Sequence, residues 1–95
     1  MRIVWTFEAL LDYESIIDYL IYKWSLAVAE DFINSLDQKI KLIQLQPELF
    51  EKVNYKNVRR AVVKPPITLF YRIEPKEIVL LRIWNNSQNP DKLKL

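Results

Sequence analysis

The residues of this 95-residue chain best suited to chemistry are cations interleaved with aromatics: Phe70, Arg72, Arg82 and Trp84, with Leu80 among them. Guanidinium groups beside aromatic faces suit two tasks, gripping a nucleic-acid backbone with its bases stacked or anchoring a protein partner. Other chemistries are excluded by what is missing. The chain has no Cys and no His, which removes disulfides, thiolate nucleophiles, His general bases and most zinc, iron and copper sites. It has no Gly, so no Gly-rich loop can cradle a phosphate. Neither a metal nor a cofactor is expected, and only carboxylates, Lys, Arg and Tyr are left to move protons.

Those side chains need a frame, and one domain spanning residues 1–95 is all the length allows. Hydrophobic residues at 51% and charged residues at 27% describe a globular chain. No apolar run approaches the ~18 residues that span a bilayer, and Met1–Thr6 lacks the apolar core and small-residue cleavage site of a signal peptide. The cytoplasm is the expected location, with no membrane contact. Charge is unevenly spread: residues 1–46 hold four Lys/Arg against seven Asp/Glu, while 47–95 hold ten against five. The basic second half is expected to meet something acidic.

Arg2–Trp5 is β-branched and aromatic, a short strand. Thr6 can cap a helix over 7–24, in which Leu10, Tyr13, Ile17, Leu20 and Trp24 form a core-facing stripe at three-to-four spacing. Leu11, Ile16, Tyr19, Ile21 and Tyr22 widen its apolar surface beyond the ~100° that a surface helix needs. Either this helix is sandwiched in the fold, or part of it contacts a partner. Ser25 caps a second helix with Ala29, Phe32, Leu36, Ile40 and Ile43 inward, and Pro47 ends it. The short connection makes the two an antiparallel hairpin. Residues 48–56 lose periodicity and form a surface loop. Strands over 57–63, 67–73 and 77–84, parted by Lys64-Pro65-Pro66 and Glu74-Pro75-Lys76, make an antiparallel meander. The predicted fold is α+β, in the order β-α-α-β-β-β, with the helix hairpin on one face of a small, mostly antiparallel sheet. Residues 85–95 are an irregular polar tail with room for a final turn.

Strand alternation then assigns the faces. Ile67, Leu69, Tyr71 and Ile73 suit the core, as do Val79, Leu81 and Ile83. The open face would carry Phe70, Arg72, Leu80, Arg82 and Trp84. Arg59 and Arg60 must point opposite ways. An open apolar face is a liability unless covered, so a partner binds there or the tail or loop 48–56 folds over it.

The ordered series Val58-Arg59-Arg60, Ile67-Thr68-Leu69-Phe70-Tyr71-Arg72-Ile73, Ile78-Val79-Leu80-Leu81-Arg82-Ile83-Trp84 and Gln88-Asn89-Pro90-Asp91-Lys92-Leu93, behind a helix hairpin closed by Pro47, resembles the RelE/ParE toxin superfamily over essentially the whole chain. The resemblance implies the toxin of a type II toxin–antitoxin system, held in a hetero-oligomer by a cognate antitoxin that alone supplies contact with operator DNA. ParE-like members inhibit DNA gyrase, while RelE-like members cut mRNA on the ribosome.

Cleavage through the 2′-hydroxyl needs a proton acceptor, a donor and cations for the transition state. The RelE-like pattern places an arginine where Thr68 stands here, and a basic residue or histidine just past the last strand, where Trp84-Asn85-Asn86-Ser87 stand. Each missing charge would forfeit about 3 kcal/mol of transition-state stabilisation. The expected chain is therefore nearer ParE, a growth inhibitor that binds its target without catalysis, or else a member whose activity has decayed. A nuclease would draw its cations from Arg60, Arg72 or Arg82 and gather them with a carboxylate such as Glu74 in one cleft. A plain nucleic-acid- or protein-binding adaptor is the third reading.

Overall fold

Two capped helices and four strands follow from local rules. In the computed structural model, which describes residues 1–87 and 93–95, the order is β1 (Arg2–Trp5), α1 (Phe7–Lys23), α2 (Leu26–Leu45), β2 (Val58–Lys64), β3 (Ile67–Ile73) and β4 (Glu77–Asn85). Thr6 is extended and its hydroxyl accepts the Ala9 N–H at 3.0 Å, with Glu8 in the first turn and Lys23 in the last, where the helix dipole favours each. Ser25 caps α2 in the same way through Val28 N–H at 3.2 Å. Gln46, just before Pro47, closes it.

The sheet order is β1-β4-β3-β2. The meander β2, β3, β4 is antiparallel, and β1 joins β4 in parallel, because the hairpin carries the chain across one face before β2 begins. The main core lies between hairpin and sheet. Ala9, Ile16 and Leu20 of α1 and Ala29, Phe32, Leu36 and Ile43 of α2 pack on Ala61, Ile67, Leu69, Tyr71, Ile78, Leu80 and Ile83. The inner stripe of α2 is thus the expected one, with Ile40 at its margin. That of α1 is rotated: Leu10 and Trp24, expected inside, are 45% and 66% exposed. A crowded apolar helix can present more than one stripe, and the small Ala9 is what lets the backbone come close.

The face assignment of β4 needs a larger correction. Phe70 faces Arg82, but Tyr71 faces Leu80, so Leu81 is an extra residue in a β-bulge. One inserted residue inverts alternation on either side of it. Ile78 and Leu80 therefore lie in the helix-side core, and Leu80 is fully buried. Leu81, expected inward, packs instead with Phe70 and Trp84 on the opposite face. Beyond the bulge, Ile83 returns to the core as expected.

Candidate functional site

The face away from the helices carries Val58, Phe70 and Trp84, with Val53, Leu81 and Leu93 packed on them. Loop 48–56 and the chain end thus cover this face, and Phe70 and Trp84 keep only 8% and 7% exposure. Of the five residues expected to form an open binding face, Leu80 is on the wrong side, Phe70 and Trp84 are covered, Arg72 is half-buried and the Arg82 side chain is largely covered. Residues 88–92 of the quoted tail motif lie outside the described residues.

Arg82, Arg72 and Arg60 each pair with a carboxylate, whereas Arg59 donates to the Glu48 and Phe50 carbonyls. Arg82 forms a two-toothed pair with Asp12 of α1, Nε donating to Oδ2 at 2.7 Å and Nη2 to Oδ1 at 2.9 Å. Asp12 Oδ2 also accepts the Ile83 N–H at 2.9 Å. Beyond the end of β1 this carboxylate satisfies an edge donor of β4 that no strand covers. The Asp12 hydrogen bond holds the Arg82 guanidinium above its usual pKa, against the pull of burial. Arg82 also lies over the Trp84 ring, 5.4 Å from its centroid, and donates to the Lys94 carbonyl at 3.1 Å. Arg72 pairs with Glu74 two residues on, at 2.7 Å. Arg60 pairs with Glu51 of the loop at 2.6 Å.

Cross-strand register sets Arg60, Phe70 and Arg82 in one row. The row does not make a cleft. Arg72 and Glu74 line a hollow beside the β3–β4 turn. Arg82 is fixed at the edge of β4. Arg60 lines a separate groove with Lys39, Phe50, Glu51, Val62, Thr68 and Asn86. The sheet brings two sequence-predicted positions together in that groove: Asn86 Nδ2 donates to Thr68 Oγ1 at 3.0 Å. Asn86 is further tied by its backbone N–H to the Pro66 carbonyl at 2.8 Å. This neutral pair stands where the expected pattern has two charged groups.

Tyr71 is no substitute for them. It is fully buried on the helix side and its hydroxyl donates to the Pro47 carbonyl at 2.6 Å. Burial raises its pKa, so the phenol keeps its proton. Lys39, whose ammonium sits 5.4 Å from the Phe50 ring centroid, and Glu51 are groove residues that sequence reasoning missed. So was Asp12. Its spacing of three from Ala9 and four to Ile16 puts it at the margin of the buried stripe, and that was the available signal.

A family described as the ParE toxin of type II toxin–antitoxin systems, parDE, matches residues 3–90. No curated protein sequence matches significantly. The fold is similar to the chromosomal ParDE toxin–antitoxin system of P. aeruginosa, with TM-score 0.77 and 23% identity over 90% of this chain and 95% of that one. It is also similar to a YoeB/ParE toxin from Agrobacterium tumefaciens, with TM-score 0.68 and 13% identity over 87% and 95%. The E. coli DinJ–YafQ toxin–antitoxin complex gives TM-score 0.60 and 17% identity over 90% and 92%. At such identities these structures establish a shared fold only.

Proposed function

This chain belongs to the ParE toxin family of type II toxin–antitoxin systems, and from that premise we propose that it arrests growth by binding an essential target of the DNA gyrase type, without catalysis, and is neutralised by a cognate antitoxin. One observation carries this reading: the Thr68–Asn86 hydrogen bond joins two uncharged side chains where RNA cleavage would need charge. An uncharged amide and a hydroxyl stabilise a multiply anionic, phosphorane-like transition state less than two charged groups would. Arg60, Arg72 and Arg82, the candidate cations, are each paired with a carboxylate of their own. Operator DNA is then read by the antitoxin, and the resting form is a hetero-oligomer.

The nuclease reading keeps one observation in its favour. Lys39, Arg60 and Glu51 line the same groove, giving two cations and a carboxylate, though Arg60 and Glu51 are bonded to each other and Lys39 lies over Phe50. Inducing the chain from a tight promoter separates the two. We expect growth arrest, relief by the adjacent antitoxin frame, inhibited supercoiling by purified gyrase and no codon-positioned mRNA ends in primer extension. Such ends, lost in Arg60→Ala, would establish the nuclease instead. Silent induction would leave only the adaptor reading.

A further inference from the structure

α1 has a second apolar face that the fold does not use. Phe7, Leu11, Glu14, Asp18 and Ile21 recur at alternating intervals of four and three, flanked by Leu10 and Tyr22, and every one of them is exposed. Phe7 is 70% exposed and Tyr22 90%. Such spacing is what a docked helix reads as anchor positions, and a monomeric surface rarely leaves so many large apolar side chains together in water. The face has an internal pattern: apolar at Phe7–Leu11, acidic at Glu14 and Asp18, apolar again at Ile21–Tyr22. Glu14 and Asp18 are four apart, a spacing at which like charges destabilise a helix. Neither forms an ion pair among the described residues.

That pattern selects the occupant. A second copy of the chain is disfavoured, because either two-fold arrangement of α1 on α1 sets the acidic centre against itself. An acidic segment meets the same repulsion and has the basic half of the molecule open to it.

We infer that the outer face of α1 is the surface that holds the target, and that it takes an amphipathic helix with apolar ends and a basic centre. This rests on the target-binding reading above and names the surface for it. Phe7 to Tyr22 covers roughly 22 Å at the helical rise, so a synthetic helix of about sixteen residues, with Leu and Phe at its ends and two Arg at its centre, is a suitable probe.

In fluorescence anisotropy the labelled Arg-centred peptide should bind the wild-type chain roughly tenfold more tightly than the same peptide with Glu at its centre. Glu14→Arg/Asp18→Arg should reverse that preference with an unchanged thermal melt, and should lose growth arrest while still binding antitoxin. Equal affinity for both peptides, or full toxicity of the double variant, overturns the assignment. A wild-type chain that binds the Arg-centred peptide but leaves growth unaffected would sink the target reading and keep the docking face.

Discussion

Asp12 shows how much one carboxylate can organise. It satisfies a strand-edge N–H and a guanidinium at once, with both side chains about 85% covered. Removing one partner of a covered ion pair costs more than removing both, since the survivor keeps its desolvation penalty without compensation. Asp12→Ala should destabilise the fold by about 3 kcal/mol. In urea melts Asp12→Leu/Arg82→Met should recover only the part due to the stranded guanidinium, since the Ile83 N–H still lacks its acceptor. A double variant as unstable as the single one would contradict this account. Tyr71 makes a second residue-scale statement. Burial raises its pKa in the fold, so the native state holds its proton above pH 10, where the unfolded chain releases it. Stability is therefore intact below pH 10 and falls as pH rises from there towards the folded value. Tyr13, raised by burial and by Asp37, acts in the same direction. Melts of Tyr71→Phe should be less stable near neutrality, through the lost hydrogen bond to Pro47, yet flatter at alkaline pH. An equally steep alkaline decline would mean Tyr71 is not the group responsible.

At the scale of elements, the Leu81 bulge decides which side chains are core. Leu80→Lys should prevent folding, because it puts an ammonium in a fully buried helix-side position. Val79→Lys, one residue away and half-buried on the other side, should fold with a loss of about 1 kcal/mol. Circular dichroism of the two variants reads the difference directly, and the opposite ranking would refute the register. Element order, the two capping residues and the bounds of β1 and β3 were legible because periodicity and turn chemistry are local properties. The bulge was not, because nothing in Leu80-Leu81-Arg82 distinguishes the extra residue from its neighbours; only pairing with β3 does. The candidate site divides similarly. Thr68 and the Asn85-Asn86 stretch could be singled out from the ordered motifs, but their hydrogen bond depends on β3 and β4 lying side by side. Lys39 and Glu51 reach the groove from α2 and a loop without periodicity, and no spacing rule connects them to Arg60.

For the molecule as a whole, chain order turns a sequence asymmetry into a spatial one. The helices come first and carry the acidic excess; the meander comes last and carries the basic one. Lys52, Lys56, Arg59, Arg60 and Lys64 all lie in or beside β2, one of the sheet's two edge strands. Cations on an edge discourage pairing with stray strands, and they also create a field that draws in an acidic partner. Lys64 is tied to Asp31 of α2 and Arg60 to Glu51, whereas Lys52 and Lys56 are exposed and enter no ion pair among the described residues. These two should therefore act on encounter more than on the final complex. Lys52→Glu/Lys56→Glu is expected to slow association with an acidic antitoxin roughly tenfold at low salt while leaving dissociation nearly unchanged. Raising the salt should shrink the difference, since exposed charges are screened within about 8–10 Å at physiological ionic strength. Stopped-flow association at two salt concentrations measures both effects. An unchanged association rate would move the antitoxin away from β2, and a changed dissociation rate alone would place these lysines inside the bound interface rather than on its approach.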